Sequence, residues 1–81
     1  MLVKLRLYAS LREQAGRAEE RLELPEGATA EAAWQALVAA IPELAARRAS
    51  LAVAVNRVYA GFETVLRDGD EVVFIPPVSG G

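Results

Sequence analysis

Asp68-Gly69-Asp70-Glu71-Val72-Val73-Phe74-Ile75-Pro76-Pro77-Val78-Ser79-Gly80-Gly81 contains a turn, a strand and an abrupt exit. Asp-Gly is turn chemistry, because it tolerates positive φ at low cost. The run from Glu71 to Ile75 is almost continuously apolar, which predicts a strand in mid-sheet with both faces covered. Pro76 and Pro77 lack amide donors and cannot continue such a strand, so the chain is expected to leave the sheet in extended geometry. The two glycines that follow have no side chains and suit passage through a narrow tunnel in another protein. The sequence therefore divides into a domain over 1–75 and an extended tail over 76–81 that ends in Gly-Gly.

Upstream, Leu2 to Tyr8 alternates, with Val3, Leu5 and Leu7 on one face and Lys4, Arg6 and Tyr8 on the other, the period of a half-buried strand. Ser10-Leu11-Arg12-Glu13 reads as a capping box and Gly16 as a helix stop, which predicts a short helix after the first strand. Arg21 to Leu24 alternates again, with Leu22 and Leu24 inward, until Pro25-Glu26-Gly27 ends it. Thr29 is a good N-cap, and Ala30, Ala33, Trp34, Leu37, Val38 and Ile41 form one helical stripe. Pro42 halts that helix or starts a second short helical stretch through Arg47. Leu51 to Val55 and Val58 to Ala60 read as strands, and Thr64 to Leu66 as a further short strand or a 3₁₀ turn. This order predicts an α+β fold, a mixed four- to five-stranded sheet packed on one main helix plus short helices. A ubiquitin-like β-grasp fits it, with the first and last strands as parallel central neighbours.

The inventory excludes much chemistry. With 81 residues there is room for one core, and the sequence has neither cysteine nor histidine. Disulfides, zinc-thiolate sites and the usual nucleophile–base pairs are thereby removed, so an autonomous enzyme is not expected and no metal site is assigned. A formal net charge of -2 argues against nucleic acid, whose binders present a basic footprint. No apolar stretch reaches the ~20 residues of a membrane span and no signal-peptide pattern opens the sequence, so a cytoplasmic protein is expected. Lys4 is the one lysine among nine basic residues. Asp68, Asp70 and Glu71 are best explained as a solvated turn, Asn56 as a turn residue, and Arg47-Arg48 as the basic end of a helix.

Four blocks carry a resemblance: Tyr8-Ala9-Ser10-Leu11-Arg12-Glu13, then Val55-Asn56, then Leu66-Arg67-Asp68-Gly69-Asp70-Glu71-Val72, then Phe74-Ile75-Pro76-Pro77-Val78-Ser79-Gly80-Gly81. Together they resemble the small, sulfur-carrier subunit of molybdopterin synthase. The resemblance implies that an adenylating, E1-like activating enzyme uses ATP on the carboxylate of Gly81, and that sulfur then replaces the adenylate to leave a thiocarboxylate. It further implies that the tail enters the large subunit of molybdopterin synthase, where the sulfur passes to a cyclic pyranopterin precursor. Two carriers would supply the two sulfurs of a dithiolene, typically in a heterotetramer. On this reading the chain is a non-catalytic carrier subunit that binds no cofactor, Gly81 carries the sulfur and Gly80 provides clearance.

Docking residues are sought beside the tail. If the first and last strands are parallel neighbours, Tyr8 and Ile75 emerge at one edge, where an exposed aromatic invites a partner. Arg12 would pair with a carboxylate of that partner, Tyr59 is a further contact, and Pro76, Pro77, Val78 and Ser79 are the approach to the glycines. Three other readings stay open. Carriers for thiamine or tRNA thiolation share the fold and the diglycine. A ubiquitin-like protein modifier would use the same activated carboxylate on lysines, and a plain binding module would leave the tail inert.

Overall fold

Val3, Leu5 and Leu7 turn inward from β1 (Leu2–Leu7) and are fully buried, as the alternation requires. The computed structural model describes residues 1–77. After β1 come α1 (Ala9–Ala15), β2 (Glu19–Glu23), α2 (Ala30–Ala40), a 3₁₀ segment (Pro42–Ser50), β3 (Ala52–Val55), β4 (Val58–Ala60) and β5 (Glu71–Ile75). The five strands form one sheet in the order β2-β1-β5-β3-β4. β5 lies in its middle, parallel to β1 and antiparallel to β3, so the apolar run over 71–75 has the central place its composition predicts. This is the ubiquitin-like β-grasp.

One face of the sheet packs on α2. Ala30, Ala33, Trp34 and Leu37 are the buried residues of that helix, and Ile41 just beyond it is buried too, so the helical stripe is the core face. Trp34 meets Phe74 of β5 edge-on, with ring centroids 5.1 Å apart, and Phe62 stacks on the same ring at 6.0 Å. Such aromatic pairs add roughly 0.5–1.5 kcal/mol each beyond the area they bury.

The start of α2 is closed from two directions. Thr29 Oγ1 accepts from Ala32 N at 3.2 Å, the N-cap its sequence position predicts. The amides of Ala30 and Glu31 donate to the carbonyls of Thr64 and Phe62, each at 2.9 Å. Residues 64–66 are thus occupied in capping a helix, and their only β pairing among the described residues is the isolated bridge Thr29–Val65. The Glu31 carboxyl is held below its ordinary range, first by the hydrogen bond from Gln35 and then by that from Arg48.

One local expectation is corrected. The capping box at Ser10–Glu13 does not form: α1 starts two residues earlier, with Tyr8 in place of Ser10 as its N-cap, and no side chain caps it. Ala9 enters the helix at φ 50, which places Ser10 inside the first turn, where its hydroxyl accepts from Arg47 instead. Gly16 ends α1 as expected, in the left-handed region at φ 77. Arg47 and Arg48 form the basic last turn of the 3₁₀ segment as expected, and both also reach distant partners. Arg47 ties the 3₁₀ segment to Ser10 and Gln14 of α1. Arg48 bonds Glu31 at 2.7 Å and lies 3.4 Å over the centre of the Phe62 ring.

The β3–β4 hairpin turns on Asn56 and Arg57, at φ 51 and 69, between the paired Val55 and Val58. Two positive φ angles in a two-residue loop are the pattern of a type I′ turn, which favours Asn-Gly. Arg57 is the unfavourable half, since its Cβ is strained there and its side chain, 88% exposed, reaches only Glu71 at 3.9 Å. Arg57→Gly is therefore expected to stabilise the fold by about 1 kcal/mol, or roughly 4–8 °C in Tm. Thermal unfolding followed by circular dichroism would read it.

Candidate functional site: the tail edge and the outer sheet face

β1 and β5 run in register from Lys4–Glu71 to Leu7–Phe74. One step further, Tyr8 and Ile75 come out side by side at the same edge. Tyr8 is 47% exposed and Ile75 is half-buried. β5 ends at Ile75, and Pro76 and Pro77 lie outside the strand. The sequence expectation that the chain leaves the sheet at the prolines, next to Tyr8, matches this geometry. Val78, Ser79, Gly80 and Gly81 lie outside the described residues.

The face of the sheet turned away from α2 carries a row that crosses all five strands. Glu19 pairs with Arg6, Arg6 with Val73, Val73 with Ala54, and Ala54 with Tyr59. Its β2–β1 end is charged: Arg6 lies 3.2 Å from Glu19 and 2.9 Å from Glu71. The Arg6 guanidinium is pushed above its ordinary range, first by its hydrogen bond with Tyr8 and then by Glu71. The other end is apolar. Val73 and Ala54 are buried yet lie outside the core cluster, and Tyr59 beside them is 76% exposed. Ile75 and Ala52 pair directly one step nearer the tail.

The structure thus brings Tyr8, Ile75 and Tyr59 onto one face. Arg12 stands apart from that row, exposed on α1, with no ion-pair partner among the described residues. Val73 and Ala54 were absent from the sequence reading of the site. A signal existed, since Val73 is apolar at a position where the outward residues of β1 are Lys4 and Arg6. Only the registers of β5 with β3 and of β3 with β4 show that Val73, Ala54 and Tyr59 are contiguous.

The acidic turn behaves as a structural unit. Asp68 accepts from Leu2 N at 2.7 Å, and Asp70 accepts from Arg67 N and Asn56 Nδ2, each at 2.8 Å. Asn56 Oδ1 accepts from Glu71 N at 3.0 Å. These bonds fasten the 67–70 turn to the start of β1 and to the hairpin, and so set the register that brings Tyr8 and Ile75 together.

Among known proteins, the profile of the ThiS family matches residues 5–81. The molybdopterin synthase sulfur carrier subunit of Chlamydomonas reinhardtii is 39% identical over 83 aligned residues, covering the whole of both chains. The small archaeal modifier protein 1 of Haloferax volcanii superposes with a TM-score of 0.92 at 32% identity over the full length of both chains. A structure described as a putative molybdopterin converting factor, subunit 1, from Pyrococcus furiosus gives 0.86 at 31% identity, over 96% of this chain and 99% of that one.

Proposed function

The chain belongs to the ThiS family, and we propose that it serves as the sulfur carrier of molybdopterin synthase, with the carboxylate of Gly81 as its working group. The observation that carries this is the end-to-end similarity to a molybdopterin synthase sulfur carrier subunit, covering 100% of each chain and therefore the Gly-Gly tail. The chemistry is done on the chain by others. An E1-like partner joins the carboxylate to AMP from ATP, which turns an inert carboxylate into an electrophile. A sulfur donor then displaces AMP and leaves a thiocarboxylate, a soft nucleophile on a tether that needs no cysteine or histidine of its own. In the large synthase subunit the sulfur passes to a cyclic pyranopterin precursor. ATP is the partner's substrate, and the setting is cytoplasmic. No helix among the described residues is long and apolar enough to cross a membrane.

The tail edge supplies the docking surface in this reading. Tyr8 and Ile75, with Val73, Ala54 and Tyr59 beyond them, offer an apolar strip next to the exit, and Arg12 offers a cation for an acidic partner residue. A tyrosine at the centre of such a contact is worth about 2 kcal/mol or more, so Tyr8→Ala is expected to weaken binding of the large subunit roughly 30-fold. Ile75→Asp, which would bury a charge in the contact, should weaken it at least as much. Calorimetric titration of the large subunit with each variant checks this, and unchanged affinity would move the docking face elsewhere.

The function itself is tested by incubating the chain with the cognate activating enzyme, ATP and a sulfur donor. The expected product replaces one oxygen of Gly81 by sulfur, seen by intact-mass measurement, and converts the pyranopterin precursor when the large subunit is added. The likeness to an archaeal modifier protein favours a second reading, in which the same activated carboxylate is joined to lysines of other proteins. Conjugates in native lysate that disappear when Gly81 is deleted would establish it.

A further inference from the structure

Across β1 and β2 the outward residues meet in three pairs: Leu2 with Glu23, Lys4 with Arg21, and Arg6 with Glu19. The last joins opposite charges. Lys4 and Arg21 are like charges set directly opposite, an arrangement that works against the sheet. Their spacing is the close one. Met1 and Leu24 exchange hydrogen bonds at 2.7 and 2.8 Å. Hydrogen-bonded and non-hydrogen-bonded pairs alternate from there, which makes Lys4–Arg21 a non-hydrogen-bonded pair with its side chains nearer together.

The carboxylates around this pair are engaged elsewhere. Glu19 lies 3.5 Å from Lys4 but also takes Arg6 at 3.2 Å. Glu71, opposite Lys4 on β5, faces Arg6 and Arg57. Asp68 accepts from the Leu2 amide, and Glu23 stands across from Leu2. Arg21 is exposed and has no ion-pair partner among the described residues. Beside the two cations the surface is hollow. An open cavity of about 180 Å³ is lined by Leu2, Val3, Lys4, Arg21 and Gly69, so both charged side chains on its wall are cations. It has room for several waters, and hence for a carboxylate on a short stem.

We infer that this hollow is a socket for an acidic side chain of the large synthase subunit, held between Lys4 and Arg21. Two observations select that occupant over a free anion. The socket is open to solvent, where a lone anion on two hydrated cations is held weakly. It also shares its face with the apolar strip: Lys4 is two residues, about 7 Å, from Arg6, and Arg6 pairs with Val73 of that strip. A protein seated on the strip presents its carboxylate at high local concentration and shuts out water, which strengthens the attraction. The like-charge repulsion then burdens the free chain and is relieved in the complex. The inference rests on the docking surface of the proposed function.

Arg21→Glu and Arg21→Gln are titrated calorimetrically with the large subunit, beside the parent chain, Tyr8→Ala and Ala39→Glu. Ala39 is exposed on α2, on the other side of the sheet, and its variant changes the net charge as Arg21→Gln does. Arg21→Glu should weaken binding about tenfold at ~50 mM salt and less than about threefold at ~500 mM, where screening is strong. Ala39→Glu should stay within about twofold of the parent. Thermal melts separate docking from folding: Arg21→Gln should melt at or above the parent temperature, because it removes the repulsion. Parent-like affinity in Arg21→Glu would overturn the inference, as would a loss no larger than that of Ala39→Glu. Saturable binding of inorganic phosphate by the chain alone, seen in the amide resonances of Leu2 and Gly69, would overturn it in favour of a small anion. If Tyr8→Ala weakens binding while both Arg21 variants bind as the parent does, this inference falls alone. If the parent chain does not bind the large subunit, the docking reading falls and takes the inference with it.

Discussion

Deleting Gly81 is expected to reduce sulfur transfer more than about 1000-fold while leaving the fold intact. The loss does not come from the kind of group at the end, because Gly80 would then present a glycine carboxylate of its own. It comes from reach, since one residue fewer draws that carboxylate back by about 3.5 Å. Misplacement of a reacting group by about 1 Å already costs on the order of 100-fold. Adding a residue after Gly81 removes the carboxylate from the same point and should be as damaging. Neither change touches the core, which closes within Val3 to Phe74, so stability should shift by less than about 0.5 kcal/mol. Single-turnover transfer to the pyranopterin precursor, beside a urea melt of each variant, separates the two effects. Transfer at the parent rate from either variant would leave the tail without a role.

Phe74→Ala carries the second large effect, on stability. Phe74 is fully buried between Trp34 and Phe62, and its strand is the middle one of the sheet. Truncating a core phenylalanine costs about 3–5 kcal/mol. A chain of 81 residues has roughly 4–12 kcal/mol in all. The variant is therefore expected to be largely unfolded near physiological temperature, or to melt far below the parent chain. Phe74 also precedes Ile75, so even a folded fraction should hold the tail edge loosely and bind the large subunit more weakly. Phe74→Leu keeps most of the apolar contact and should lose much less. If chemical denaturation gave Phe74→Ala the stability of the parent, the aromatic stack would not be the centre of the core.

Sequence alone determined what depends on neighbours a few residues apart. The stripe from Ala30 to Ile41 can bury one face only as a helix, and Thr29 has the hydroxyl that an N-cap needs. The apolar run at 71–75 can be satisfied only with both faces covered, and Pro76-Pro77 must end it. From these, the sheet-and-helix architecture, the parallel pairing of first and last strands and the end of β5 beside Tyr8 were legible. The same local logic failed at Ser10, because Ala9 takes a left-handed φ and shifts the helix start to a residue that no capping rule selects. It also undervalued Arg47 and Arg48, whose partners Ser10, Gln14, Glu31 and Phe62 are 14 to 37 residues away. Tertiary structure alone decided that Val73, Ala54 and Tyr59 form one outer strip and that Arg6 lies between Glu19 and Glu71. Those facts are strand registers between distant segments, and a register is fixed by the pairing of whole strands around a shared core, which no single segment encodes.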